Sequence, residues 1–162
     1  MLRLTELFPA SRFVGMDLSE AMRRRLGNID FVVRDVSDFD TTAEREAFDV
    51  VTTFDAIHDQ ARPLRVLRGI YRALTPTGVY VMQDINGTSD LRQDIEHPLG
   101  TLLYTISCLH CMTVSLAQGG EGLGAMWGSA TARRALQDAG FRSIEVHRLA
   151  HDIMNDWYVS RK

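Results

Sequence analysis

Four short runs of apolar residues lie in the first half of the chain, each about as long as a β-strand. They cover residues 13–17, 31–35, 48–55 and 79–84. The runs are continuous rather than alternating, which is typical of parallel strands buried on both faces. Helical patterns separate them, so the sequence predicts an α/β fold with a mostly parallel sheet.

Two helices between these strands follow from local signals. From Pro63 to Leu74, apolar residues recur every three or four positions and arginines fill the opposite face. The following residues, 75–78, read Thr-Pro-Thr-Gly and predict a turn into the fourth strand. Ser19 predicts the cap of another helix, which runs through Ala21, Met22 and Leu26 to Gly27.

The second half departs from this alternation. Residues 86–128 combine a polar stretch, a segment without charge and a glycine-rich loop, and we interpret them as an insertion over the sheet. A helix ending at Gly140 follows, and then two strand-like segments at 141–149 and 157–161, which predict a closing antiparallel pair. We treat residues 1–162 as a single domain.

Composition excludes some classes of function. Eighteen basic and 21 acidic residues give a net charge of −3, so bulk binding to nucleic acid or anionic lipid is disfavoured. The two cysteines, Cys108 and Cys111, build no disulfide framework, and residues 1–13 do not resemble a signal peptide. We therefore expect a cytoplasmic protein.

The segment from Pro98 to Gly120 contains no Asp, Glu, Lys or Arg and is about as long as a membrane span. It also contains hydroxyl groups and His110, which a helix facing lipid would leave without partners. We expect a buried helix of a soluble domain rather than a membrane helix.

An aspartate closes each of the four strand-like runs: Asp17, Asp35, Asp55 and Asp84. Ligands of open α/β sheets bind at the carboxyl ends of the strands. Carboxylates there accept hydrogen bonds from ribose hydroxyls or an amino group and repel phosphates. The four acids together indicate a nucleoside site, although each could instead cap the helix that follows its strand.

Residues 8–22, which include Phe13-Val14-Gly15-Met16-Asp17-Leu18, resemble the second-strand segment of class I S-adenosylmethionine-dependent methyltransferases. The resemblance implies that Asp17 binds the ribose of the cofactor and that Leu18 packs on the adenine. Asp35 and Val36 match the end of the third strand, which lies beside the adenine in that family.

The resemblance continues through residues 48–59 and 67–81. It places Phe54 and Asp55 at the strand tip that flanks the methionine part of the cofactor, and Thr77 replaces a glycine of the family pattern. It implies a Rossmann-like sheet that is mostly parallel, with a C-terminal antiparallel strand. Residues 103–128 look like a subgroup that carries an N-terminal winged-helix domain.

One family feature is absent from this sequence. Methyltransferases of this class begin with a strand and a glycine-rich loop, whereas Met1 starts in what looks like the following helix. That strand lies centrally, between the strands ending at Asp17 and Asp55, so we expect a sheet without its first strand. We interpret the chain as truncated, with impaired or absent activity.

Further candidates line the same edge. His58 follows the fourth strand and could act as a general base for a hydroxyl or amine acceptor, or be an ordinary loop histidine. Asp84, His110 and Trp127 could line the acceptor pocket or serve the core. Cys108, His110 and Cys111 offer three metal ligands on one segment, whereas structural zinc sites use four, so we predict no metal.

The leading hypothesis is an enzyme that transfers a methyl group from S-adenosylmethionine to a small-molecule acceptor. One alternative is an NAD(P)-dependent oxidoreductase, which would need a glycine loop for its pyrophosphate. Another is a non-catalytic remnant or a regulatory interaction module. A homodimer, in which a second copy fills the sheet gap, is compatible with the sequence.

Overall fold

A computed structural model describes residues 2–18, 25–26 and 28–162. The chain divides into two compact units, Met1–Val36 and Ser37–Lys162. Each unit contains its own hydrogen-bonded sheet. The expectation of a single domain with an insertion stays a prediction.

The first unit contains helix α1 (Leu2–Leu7) and strands β1 (Phe13–Asp17), β2 (Arg25–Leu26) and β3 (Ile29–Val33). The sheet order is β1-β3-β2, with β1 parallel and β2 antiparallel to β3. The predicted first strand is confirmed.

The predicted second strand is displaced, because β3 begins and ends two residues earlier than residues 31–35. Asp35 therefore lies beyond the strand rather than at its last position. The helix predicted over 19–27 is wrong at Leu26, which belongs to β2, where pairing with β3 overrides helical periodicity. Its remaining residues, apart from Arg25 in the same strand, lie outside the described ones.

The second unit forms a four-stranded sheet in the order β4-β5-β7-β6. Its elements are α2 (Phe39–Thr42), β4 (Phe48–Phe54), α3 (Pro63–Ala73), β5 (Leu74–Ile85), α7 (Gly128–Ala139), β6 (Ser143–Arg148) and β7 (Asn155–Arg161). Strands β4 and β5 are parallel, and β7 is antiparallel to both β5 and β6. The predicted antiparallel closing pair is confirmed.

The turn predicted at residues 75–78 is wrong, because β5 begins at Leu74, directly after α3. The pairing of β4 with β5 shifts register between Phe48↔Leu74 and Val50↔Val79, so residues 75–78 form an irregularity within the strand. Pro76 lacks an N–H and Gly78 lacks a side chain, and both suit such a bulge. The turn signal thus marks a bulge.

The fold class is confirmed as a Rossmann-like methyltransferase sheet, with parallel pairs β1–β3 and β4–β5 and an inverted β7. Within the described residues, β1 pairs with β3 alone and β4 with β5 alone. The expectation that one sheet lacks its first strand between the strands ending at Asp17 and Asp55 stays a prediction.

The segment 86–128 is mostly helical. It contains α4 (Leu91–Asp94), α5 (Gly100–Ile106), a π-helix (Ser107–Cys111), α6 (Met112–Ala117) and a 3₁₀ turn (Ala125–Trp127). The run Gly100–Ala117, here called the charge-free helix, is long and apolar enough to cross a membrane, with a mean hydropathy of 1.3. Length and composition alone are weak support for a membrane span.

The expectation that this helix is buried is wrong, since only 28% of its residues are buried. Leu103, Ser107, Cys111 and Ser115 face the fold, one in every four residues. Absence of charge predicted burial because ionised groups resist it. A helix without charged residues is nevertheless buried only where another element packs against it.

The core of the second unit lies between its sheet and helices α3 and α7. Leu67 of α3, Leu136 of α7 and Tyr80 of β5 are fully buried, and the Tyr80 ring stacks on Phe141 with centroids 5.6 Å apart. Gly69 of α3 faces α2, where an added Cβ would lie 2.5 Å from the Phe39 carbonyl carbon and 2.6 Å from its oxygen. Close backbone approach therefore requires glycine at this position.

We expect Gly69→Ala to lower the free energy of unfolding by about 1–2 kcal/mol. The gain in helix propensity, at most about 1 kcal/mol, is smaller than the cost of overpacking against backbone, about 1–3 kcal/mol. Urea denaturation followed by circular dichroism measures the change. Arg68→Ala, at an exposed position of the same helix, is the matched control and should be nearly neutral. A Gly69→Ala protein as stable as the wild type would contradict the close packing.

Candidate functional site

The first unit carries four of the predicted cofactor residues. Asp17 closes β1 and is exposed, and Leu18 beside it is 68% exposed. Asp35 and Val36 follow β3, with Asp35 exposed and Val36 half-buried. An exposed carboxylate next to an exposed apolar side chain suits a nucleoside, which offers hydroxyl donors and a flat ring.

The second unit carries Phe54 and Asp55 at the end of β4, and both are exposed. The backbone N–H of Asp55 donates to the Gln83 carbonyl oxygen (3.1 Å), and the Gln83 Nε2 donates to Asp55 Oδ2 (3.3 Å). Asp55 has a positive φ of 44°, a conformation that aspartate tolerates better than most residues. Partial burial and the charge of Asp84 raise the pKa of Asp55.

Asp84 of β5 is the centre of a buried hydrogen-bond network. Its side chain is fully buried, and its Oδ1 accepts three hydrogen bonds. The donors are His58 Nδ1 (2.7 Å), the Ile85 backbone N–H (2.9 Å) and Trp127 Nε1 (3.0 Å). No residue in the described part of the chain donates to its Oδ2.

His58 lies in the loop after β4 and is 3% exposed. Because an ionised carboxylate only accepts hydrogen bonds, the contact with Asp84 places a proton on Nδ1. The other ring nitrogen, Nε2, lies 3.3 Å from Asp59 Oδ1. Burial lowers the pKa of His58, but the hydrogen bond to Asp84 and the charges of Asp84, Asp59 and Asp55 outweigh it, so the pKa lies above its ordinary value.

Trp127 is held at the end of the 3₁₀ turn. It lies between Gly124 and Gly128, whose φ values of 71° and 77° belong to the left-handed region that favours glycine. Ser89 Oγ donates to the Trp127 carbonyl oxygen (2.8 Å), and the indole is buried. The backbone conformation at these two glycines thus positions the Trp127 indole so that its N–H donates to Asp84.

The structure brings together three of the four predicted catalytic and acceptor-pocket residues: His58, Asp84 and Trp127. The fourth, His110, lies exposed on the π-helix. Sequence reasoning gave Gln83 no role and considered Asp59 only as the neighbour that could orient His58. Gln83 offered no signal, since its contact with Asp55 depends on strand register.

Three groups able to bind a metal also meet here, but they are not the set weighed from the sequence. One potential ligand atom each from His58, Asp59 and Cys111 lie within 4.8 Å of one another, while Cys108 is exposed. Three protein ligands are one fewer than a closed tetrahedral site requires. We assign no metal to this group.

The arrangement can perform two kinds of chemistry. In the first unit, the exposed carboxylates of Asp17 and Asp35 can accept hydrogen bonds from a nucleoside, and in the second unit the carboxylate of Asp55 can attract positive charge. The buried His58–Asp84 pair can hold a proton on one ring nitrogen while the other receives one. These are the requirements for binding a cationic nucleoside and for deprotonating an acceptor.

Solved methyltransferases share this fold. The trans-methyltransferase CalH, in complex with SAH, is 21% identical and superposes with a TM-score of 0.64 over 93% of this chain and 42% of that one. Human N-acetylserotonin methyltransferase, in complex with SAM, is 20% identical, with a TM-score of 0.62 and coverage of 98% and 42%. PigF with SAH is 18% identical, with a TM-score of 0.67 and coverage of 99% and 46%.

The chain spans less than half the length of these three structures. No curated protein sequence matches it. The winged-helix subgroup stays a prediction. A family model described as a methyltransferase domain matches residues 1–110, more than half of the 162 residues. The protein belongs to this family of methyltransferase domains.

Proposed function

We propose that this protein binds S-adenosylmethionine and methylates a hydroxyl or amine of a small molecule. The observation that carries the proposal is the buried His58–Asp84 pair, with its 2.7 Å contact, in a chain of the methyltransferase family. The acceptor would meet this pair at His58. A location in the cytoplasm, supported by two unpaired cysteines, completes the proposal.

Six residues would hold the cofactor. Asp17 would accept hydrogen bonds from the ribose, and Leu18, Asp35 and Val36 would contact the adenine. Phe54 and Asp55 would flank the methionine part. When bound, S-adenosylmethionine supplies a methyl group on a positively charged sulfur, which carboxylates attract. The same carboxylates would repel a pyrophosphate, and this favours the methyltransferase over the oxidoreductase.

Alignment of the acceptor would contribute most of the rate enhancement, and proton removal would add to it. Asp84 fixes the Nδ1–H of His58 and stabilises the ring when it becomes charged. The acceptor's hydroxyl or amine would replace Asp59 at Nε2 and donate its proton there. Trp127 and His110 are the proposed walls of the acceptor pocket, with Trp127 also orienting Asp84. The net charge of −3 supports a small molecule rather than a nucleic acid as acceptor.

Calorimetric titration with S-adenosylmethionine and S-adenosylhomocysteine tests the cofactor site. We expect saturable binding that Asp17→Ala weakens about 10- to 100-fold, since hydrogen bonds to a charged group contribute roughly 1.5–3 kcal/mol. Asp49→Ala is the matched control, because Asp49 lies near the start of β4 rather than after a strand end. It should bind like the wild type.

Absence of binding by a folded wild-type chain would overturn the proposal and favour the non-catalytic alternative. Binding of NAD⁺ instead would favour the oxidoreductase.

The protonation of His58 can be measured without an acceptor, by NMR titration of the imidazole signals with His58→Gln for assignment. We expect a midpoint above the ordinary 6.5 and a lower midpoint in Asp84→Asn, which loses the charged partner. Charged His58 would then stabilise the fold fully below pH 6.5, and this contribution would be lost as the pH rises through the folded-state pKa. A midpoint unchanged by Asp84→Asn would contradict the pairing.

Release of S-adenosylhomocysteine in the presence of phenols and primary amines tests catalysis. We expect His58→Gln to lower kcat about 10²- to 10⁴-fold, the usual contribution of a general base. His147→Gln, at an exposed site on β6, should leave the rate unchanged. Equal rates for His58→Gln and the wild type would show that His58 is not the base.

A further inference from the structure

The charge-free helix presents a bare apolar face to solvent. Leu109 at its centre is 77% exposed, more than any other large hydrophobic residue described. Leu102, Ile106 and Leu116 are 52%, 42% and 53% exposed on the same helix. Four large apolar side chains on one exposed helix indicate an interaction surface rather than a chance exposure.

The opposite face anchors the helix to its own unit. Leu103 and Cys111 are buried, and Ser107 Oγ accepts a hydrogen bond from the Ala125 backbone N–H (2.9 Å). Ser115 Oγ donates to the Gln60 carbonyl oxygen (3.3 Å). These contacts hold one side of the helix against its own unit, and in the described part of the chain its outer face has no covering element.

The chemistry of the outer face favours a copy of itself over a lipid surface. Residues 98–120 contain no Lys or Arg, which helices on anionic membranes use for headgroups. They contain no Asp or Glu either, so two copies can meet without repulsion. The exposed hydroxyls of Thr105 and Thr113 already donate to carbonyl oxygens of their own helix, at 2.7 Å and 2.9 Å. These hydroxyls therefore keep a hydrogen bond when covered.

We propose that two copies of this chain associate through these faces, with the two helices crossing at Leu109 about a two-fold axis. In such a symmetric contact each face must complement itself, and a neutral apolar face does so. The 18 residues span about 27 Å, so a helix pair alone gives an interface at the small end of the usual range. The dimer is accordingly weak and dissociates on dilution.

Sedimentation velocity from about 1 to 500 µM tests the proposal, a range suited to an interface of this size. We expect the wild type to shift reversibly from monomer to dimer and Leu109→Arg to remain monomeric, because two guanidinium groups would face each other. Ile153→Arg is the matched control: Ile153 is also apolar and is 56% exposed, but it lies in the turn between β6 and β7. It should dimerise like the wild type.

Mixing variants separates a lost interface from a damaged fold. Leu109→Glu alone should be monomeric, and an equimolar mixture of Leu109→Glu with Leu109→Arg should recover dimer. A wild type that stays monomeric throughout, a Leu109→Arg protein that still dimerises, or wild type that instead pellets with phosphatidylcholine vesicles would each overturn the proposal. None of these readouts depends on cofactor or catalysis, so the result is independent of the proposed function.

Discussion

One buried oxygen atom, Oδ1 of Asp84, holds together the segments of the second unit that carry His58 and Trp127. Asp84 Oδ1 joins strand β5, the loop after β4 and the 3₁₀ turn through three donors, all within 3.0 Å. A carboxylate without solvent is costly unless donors surround it, so these segments stabilise its charge together. Removing one donor would leave the others around an undercompensated anion. The position of His58 therefore depends on parts of the chain far away in sequence.

Local patterns predicted the strands well and the packing of the insertion poorly. Continuous apolar runs located β1 and β4, although Gly15 is the one buried residue of these two strands, so the expected burial on both faces is wrong. The bulge at 75–78 was taken for a turn, since both use residues that leave the regular ladder. The charge-free helix was expected in the core because its sequence contains no charged residue. The sequence does not show whether another element packs over the helix.

At the candidate site, too, local patterns predicted the individual residues but not the contacts between them. Asp17 and Asp55 were recognised individually because their positions follow from the boundaries of β1 and β4, whereas Asp35 lies two residues beyond β3. The contact between His58 and Asp84 spans 26 residues, and that of Trp127 with Asp84 spans 43, so only the tertiary fold reveals them. Gln83, which holds Asp55, depends on a register that no local pattern encodes. Chemistry could be anticipated residue by residue, whereas cooperation among residues could not.

The direct passage from α3 into β5 has a mechanical consequence. With no loop after Ala73, a movement of the helix would pull on the strand that carries Asp84 about 33 Å farther along. The irregular residues 75–78 stand between them and lie outside the regular pairing that runs from Val79 onward. A shift of the helix would therefore meet the irregular pairing first and the regular pairing around Asp84 only afterwards.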